Sequence, residues 1–227
     1  MSIMPRRPRL DISGALHQIM VRGVDRVDIF LDDEDRHGFL KKLGELIVNS
    51  KSQVYAWTLM TNHVHILYKS GEKGISYVMR RLLTWFAIYF NRRYKRSGHL
   101  FENRYKSILC EEEQYLLELV RYIHLNPVRA GLVSTLRELD RYPWCGHAVL
   151  VGSMNMGWMA RSVSIKELQT GSRRRGVSEA RAVISFRSIE ELGLATAEIA
   201  RSLGVATSGY LVQPKLSKWL IEFLKGG

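Results

Sequence analysis

The sequence predicts an α+β fold, an antiparallel sheet with helices packed on it, and three observations carry that prediction. Apolar residues alternate over four short stretches, as half-buried strands require. Over three longer stretches they recur every three or four residues, as amphipathic helices require. The two kinds of stretch are interleaved along the chain. Ala15–Gly23 (ALHQIMVRG) is the first strand, ending at a glycine. Asp32–Asn49 is a helix: Asp32, Asp33, Glu34 and Asp35 load its first turn, where the helix dipole favours negative charge, and Phe39, Leu40, Leu43, Leu46 and Ile47 form one apolar stripe. Val54–Leu59 and His63–Tyr68 are strands joined by a short polar turn at Thr61-Asn62, an antiparallel hairpin. Ile75–Tyr94 is a long helix with apolar residues at 75, 78, 79, 82, 83, 86 and 90, broken by Gly98. Arg104–Cys110 (RYKSILC) is the fourth strand, and Glu111, Glu112 and Glu113 open a helix that runs to Asn126 and is expected to stop at Pro127. Strand, helix, two strands, helix, strand, helix is the order of a sandwich related to ferredoxin-like folds.

Beyond this the periodicity weakens. Tyr142–Leu168 reads as connector, and Gly171–Gly176 (GSRRRG) as a flexible basic linker. Glu179–Leu192 and Thr196–Leu203 are helical, and a Gly204-Val-Ala turn then leads into a segment opened by Thr207-Ser208. That pattern is helix-turn-helix-like, although Pro214 would shorten its recognition helix. Duplex DNA is the partner it suggests, ahead of a plain helical hairpin serving dimerisation. The expected organisation is therefore an α+β domain over 1–145, connector and basic linker over 146–176, and a small all-α, helix-turn-helix-like region over 177–227.

Composition narrows the function. In 227 residues, 46% hydrophobic, Lys+Arg number 34 against 22 Asp+Glu, for a net charge of +12. That is enough apolar material for a core, which excludes a disordered tail. Two cysteines, Cys110 and Cys145, exclude a disulfide scaffold. The first residues carry no apolar stretch after their charges, so no signal peptide is expected, and no apolar run is long enough to span a bilayer. A cytoplasmic, nucleoid-associated protein with an anionic partner, nucleic acid first, is the expectation. Eight basic residues against Glu102 alone lie between Arg80 and Lys106, more than half of the net charge. They are interleaved with Trp85, Phe86, Tyr89, Phe90, Tyr94, Phe101 and Tyr105. Two readings fit: cations tracking phosphates beside aromatics that stack on bases, or an amphipathic helix with a solvated basic face and a basic loop after it.

His63-Val64-His65 is the sharpest local feature. On a strand, residues i and i+2 share a face, so the two imidazoles project together and suit a divalent cation with positions left open. Alone, the triplet reads equally as two satisfied histidines on a half-exposed sheet face. The last helix adds weight. Tyr115, Glu118, Tyr122 and Asn126 form a polar stripe beside Leu116, Leu119, Val120 and Ile123, and Tyr122 and Asn126 stand one turn apart on one face. Tyrosine can act as a covalent nucleophile, but with an ordinary pKa of about 10 it needs a nearby cation or base. The plainer alternative is a tyrosine packed at the sheet–helix border with its hydroxyl in water.

Five blocks, taken together, resemble a known family. They are Val21-Arg22-Gly23; Ile29-Phe30 with Asp33–Arg36; Trp57–His65 (WTLMTNHVH); Gly98–Phe101 (GHLF) with Arg104–Ser107 (RYKS); and Tyr122–Leu132 (YIHLNPVRAGL). In this order, over roughly 15 to 145, the chain is similar to the REP-associated tyrosine transposases, relatives of single-tyrosine insertion-sequence transposases in the HUH nuclease superfamily. The resemblance implies an HUH fold, with Mg²⁺ or Mn²⁺ held by His63, His65 and Asn126, and Tyr122 as nucleophile. It implies cleavage of single-stranded DNA beside REP-like palindromic hairpins through a 5′-phosphotyrosine. Glu102-Asn103 departs from the Gln-Gly expected before Arg104. Arg22, Arg92, Arg93, Arg104 and Lys106 are the expected phosphate contacts. His124, two residues from Tyr122 on the far side of the helix, is assigned no catalytic role. Two other classes compete: a non-catalytic DNA-binding regulator derived from such an enzyme, and an RRM-like single-stranded RNA-binding module. The latter would require aromatics on the sheet face that His63 and His65 occupy. Whether the chain works as a monomer or a dimer is not legible.

Overall fold

Four antiparallel strands form one sheet in the order β2-β3-β1-β4, built from β1 (Leu16–Arg22), β2 (Gln53–Leu59), β3 (His63–Lys69) and β4 (Lys106–Cys110). The computed structural model describes residues 12–110 and 116–159. The helix-turn-helix-like pattern, the GSRRRG linker and Glu111–Glu113 lie outside the described residues. The helices are α1 (Asp33–Ser50), α2 (Gly74–Arg93), α3 (Leu116–Arg129), α4 (Leu136–Leu139) and α5 (His147–Leu150), with a 3-10 turn at Val24–Arg26. The β1-α1-β2 connection leaves one strand position open, β3 fills it between them, and β3-α2-β4 carries the last strand to the far side of β1, giving the ferredoxin-like arrangement that the element order predicts.

Strand alternation divides the side chains into two layers. Ile19 and Val21 of β1, Val64, Ile66 and Tyr68 of β3, and Val54 and Trp57 of β2 join one core with α1 and α2. Phe30, Phe39 and Phe86 meet there edge to face or tilted, at centroid separations of 5.2–5.4 Å, within the range where aromatic pairs add to simple burial. Asp32 caps α1 by accepting from the Asp35 N–H at 3.0 Å, the satisfied N-terminus that its run of acids predicts.

Two element boundaries differ from the sequence expectation by two residues or more. The fourth strand starts at Lys106, because Arg104 belongs to the loop that bridges Gly23 through Phe101. Pro127 lies inside α3, which continues to Arg129. A proline deprives the carbonyl four residues back of its partner, and here Asn126 compensates: its Nδ2 donates to Tyr122 O at 2.8 Å and to Ile123 O at 3.4 Å. The helix ends instead at Gly131, whose φ of +69° suits the left-handed closing position.

Residues 142–159 are not a bare connector. Leu59 N–H donates to Trp144 O at 2.9 Å and Gly146 N–H to Trp57 O at 2.9 Å, so this segment runs along the free edge of β2. Val149 and Met159 enter the main core, and the Trp158 ring lies so close to Gly44 of α1 that any Cβ there would collide with it. The compact α+β unit thus extends past 145 to at least Met159. Its backing of β2 was hidden in the sequence because a strand edge can be covered by irregular chain with no periodicity of its own.

Candidate active site

The second face of the sheet carries the polar side chains. Pairing sets Arg22 opposite His63 and Met20 opposite His65, while Thr58 faces His65 from β2 and Lys106 faces Met20 from β4. Lys106, Met20, His65 and Thr58 therefore form one rung across four strands, with Lys106 two strand spacings, ~10 Å, from His65. The central strands β1 and β3 place Leu16, Gln18, Met20, Arg22, His63, His65, Leu67 and Lys69 on this face, none of them a phenylalanine, tyrosine or tryptophan, so their surface lacks the stacking platform an RRM-like module needs. Tyr55 stands on the outer strand β2, its hydroxyl donating to Gln53 Oε1 at 2.9 Å.

His63 and His65 stand edge to face with ring centroids 5.0 Å apart. His65 is buried and its Nδ1 has no hydrogen-bond partner. Burial, reinforced by the Arg22 guanidinium, lowers the His63 pKa to about 4; burial, His63 and Arg22 lower that of His65 to about 3. Both rings are consequently neutral near pH 7, the state in which imidazole ligates metals. No third histidine, cysteine or carboxylate joins them among the described residues. A cation held here keeps coordination positions open, and an orphaned buried imidazole nitrogen is a ready ligand, so the pair fits a divalent ion.

Helix α3 crosses β2 and β3 and brings Tyr122 over the pair, its ring centroid 5.9 Å from that of His65. Burial raises the Tyr122 pKa, and the charge of Arg129 opposes it. The Arg129 guanidinium lies 4.9 Å from the centre of the Tyr122 ring. Arg129 was invisible as a site residue because the helix was expected to stop at Pro127; its position two turns after Tyr122 was the available signal. Asn126 follows Tyr122 by one turn, and with Nδ2 donating to backbone carbonyls its Oδ1 is the atom left for a ligand. His124 points away from the pair, fully buried, and Cys145 Sγ–H donates to its carbonyl at 3.5 Å. It fastens α3 to the segment along β2.

The expected cations separate by position. Arg22 stands directly across from His63, Lys106 is exposed on the histidine face, and Arg104 is exposed in the loop leading into β4. Arg92 is exposed on α2, in the layer covering the opposite face. Arg93 is not free for phosphate. It pairs with Asp32 at 2.6 Å, Glu34 at 2.7 Å and Asp35 at 2.8 Å, and donates to Tyr89 Oη at 2.8 Å, tying the end of α2 to the start of α1. Nor do the interleaved aromatics form a stacking surface: Phe86, Phe90 and Tyr105 are buried. Trp85 and Tyr89 stack on each other at 5.4 Å in the helical layer.

A histidine pair on an antiparallel sheet, a tyrosine laid over it from a crossing helix and cations on the same face are the arrangement that the resemblance to HUH-type transposases implies. Residues 12–126 match the family model described as "Transposase IS200 like", and the chain belongs to that family. Among solved structures, a REP-associated tyrosine transposase bound to a REP hairpin shares the fold at a TM-score of 0.53 and 15% identity. That alignment covers 71% of this chain and 100% of the other. A transposase from Deinococcus radiodurans R1 aligns at 0.37 and 17% identity, covering 52% of this chain and 95% of that one. No curated protein sequence matches. Among the described residues no helix is long and apolar enough to cross a membrane.

Proposed function

We propose that this transposase is a single-strand DNA endonuclease and strand transferase in which Tyr122 is the nucleophile and His63, His65 and Asn126 hold Mg²⁺ or Mn²⁺. Single-stranded DNA beside REP-like hairpins is the substrate this reading names, after the relative described as bound to such a hairpin. The observation that carries the reading is the 5.9 Å approach of the Tyr122 ring to His65, within a neutral histidine pair 5.0 Å across. When bound, the cation supplies Lewis-acid polarisation and a template for the scissile phosphate.

The chain's own residues do the rest. Arg22, with Lys106 on the same face and Arg104 in the loop leading into β4, binds the anionic backbone. Tyr122 Oη attacks phosphorus as the bond to the 3′ oxygen breaks; the phenol proton passes to solvent and the departing oxygen takes one up, leaving a 3′-OH and a 5′-phosphotyrosine. Arg129, beside the ring, stabilises the phenolate character that develops. A later 3′-OH reverses the step on the ester, so strands are rejoined without a nucleotide cofactor. Through its helix-turn-helix-like region the chain would also hold duplex DNA.

The test is a denaturing gel of the protein with Mn²⁺ and a labelled hairpin oligonucleotide. A covalent adduct with wild type that disappears in Tyr122→Phe is expected. The same adduct in both proteins, or none in either, overturns the nucleophile assignment.

A further inference from the structure

We propose that Asn62 is the positioning residue of the histidine pair: its carboxamide fixes which nitrogen of His63 is offered to a cation and ties that ligand to the left-handed turn at Asp25–Arg26. The inference rests on the reading of His63 and His65 as cation ligands.

The argument is a chain of hydrogen bonds with no freedom in its direction. Asn62 Nδ2 lies 3.1 Å from Arg26 O. A carbonyl oxygen only accepts, so the nitrogen of the amide must face it, and the amide cannot be flipped without setting two oxygens against each other. Asn62 Oδ1 therefore faces His63 Nδ1, at 2.6 Å. An amide oxygen also only accepts, so Nδ1 carries the proton and Nε2 keeps its lone pair. A backbone carbonyl 36 residues before Asn62 in sequence thus dictates the tautomer of His63. Hydrogen bonding of this kind to a ligand's second nitrogen orients the ring and raises its basicity.

The other end of the chain is a turn that needs holding. Asp25 and Arg26 have φ of 51° and 60°, a region that residues with a Cβ rarely adopt, and here two do so in succession. The turn is packed too tightly for a side chain at Gly23, where a Cβ would strike Val27 O. It is anchored to the hairpin carrying the histidines at several points: Gly23 N–H donates to Asn62 O at 2.9 Å, and Ile29 and Phe30 N–H both donate to Thr61 O, at 2.9 and 3.1 Å. Asn62 is the only one of these anchors that acts through a side chain and also touches a histidine. Arg26 is exposed on the turn and Arg22 stands four residues before it on β1. A strand phosphate engaging the turn would therefore bear on the same carboxamide that orients His63.

Three full-length proteins decide the matter: wild type, Asn62→Ala and Asn62→Asp. Aspartate can still accept from Nδ1–H but cannot donate to Arg26 O, so it separates the two halves of the role. Imidazole nitrogen NMR on metal-free protein should show His63 protonated at Nδ1 in wild type and Asn62→Asp, and a mixture of tautomers in Asn62→Ala. Calorimetric titration with Mn²⁺ should show affinity lowered ~10–100-fold in Asn62→Ala and retained in Asn62→Asp. Hydrogen exchange at the Arg26 and Val27 amides should quicken in both variants. The proposal is overturned if Asn62→Ala keeps both the wild-type tautomer and the wild-type Mn²⁺ affinity, or if Asn62→Asp loses affinity as fully as Asn62→Ala does. A wild type that binds no Mn²⁺ overturns the cation reading itself and this assignment with it. Wild-type binding alongside an unaffected Asn62→Ala overturns the role of Asn62 alone.

Discussion

Lowering the pH should leave cation binding at the histidine pair intact over a range where an ordinary pair would lose it. Two free imidazoles with pKa about 6.5 are each protonated some tenfold over neutral at pH 5.5, so a site built on them would bind ~100-fold more weakly there than at pH 7.5. In this protein burial and the neighbouring Arg22 hold His63 at about 4 and His65 at about 3. Both rings then stay almost wholly neutral at pH 5.5, and affinity should change by less than about twofold. Mn²⁺ titration calorimetry at pH 7.5, 6.5 and 5.5 reads this directly, and no proton release should accompany binding. A fall near 100-fold would refute the claim that burial dominates these two groups. Folding stability has the opposite sensitivity. The folded pKa values lie below the unfolded one, so the unfolded chain binds more protons between pH 6.5 and about 4. Stability is present above pH 6.5 and is lost as pH falls, with a limiting slope of ~2.7 kcal/mol per pH unit for two protons. Urea midpoints across the same pH series should show that decline while the cation affinity of the folded protein stays flat.

Arg93→Ala should lower the melting temperature by several degrees, because it leaves the buried Asp35 carboxylate without its guanidinium; hairpin affinity measured at a temperature where the variant is folded should hold, and a selective loss of DNA binding would show that Arg93 contacts phosphate after all. Asn126→Ala should destabilise by about 1–3 kcal/mol by orphaning a buried carbonyl, since Pro127 cannot supply Ile123 O with an N–H. Adding Pro127→Ala should restore melting without restoring the covalent adduct, and joint recovery would reduce Asn126 to a purely structural part. Gly146→Ala would place a Cβ 3.0 Å from His124 Nε2 and 3.1 Å from Trp57 Nε1; overpacking of this order costs about 1–3 kcal/mol, and a calorimetric scan showing no loss would mean that α3 shifts freely on β2.

The parts of the fold with strong periodicity were legible. Strand alternation at Leu16–Arg22 and His63–Lys69 and the apolar stripes of α1 and α2 depend on residues close in sequence, and every one of these elements forms within a residue or two of its expected limits. The element order then leaves few sheets to choose from. Pro127 was misread because the rule against helix-interior proline assumes an unsatisfied carbonyl, and the side chain just before it answers that carbonyl. The backing of β2 by residues 144–146 could not be read, since nothing in an irregular segment signals which edge it will cover. Asn62 was visible only as a turn residue: its partners, Arg26 and His63, lie on different sides of it in sequence, and only the folded pairing of β1 with β3 brings them together.

The basic and aromatic run between Arg80 and Lys106 shows why charge in sequence is a poor map of a binding surface. Folding sorts that run by strand and helix phase into three fates. Phe86, Phe90 and Tyr105 enter the core, Arg93 neutralises the acids that open α1, and Arg104 and Lys106 stay exposed, Lys106 on the histidine face. Arg22 and Arg129, from outside the run, stand beside His63 and Tyr122. The surface positive charge beside the site is therefore assembled from β1, β4 and α3, with Lys106 the contribution from the stretch of highest charge density. An anionic strand drawn to that face meets a neutral histidine pair and a tyrosine with a cation against its ring. Under the proposed function, charge would bring the phosphate in, and the uncharged imidazoles would keep one place on the sheet where a divalent ion rather than a proton answers it.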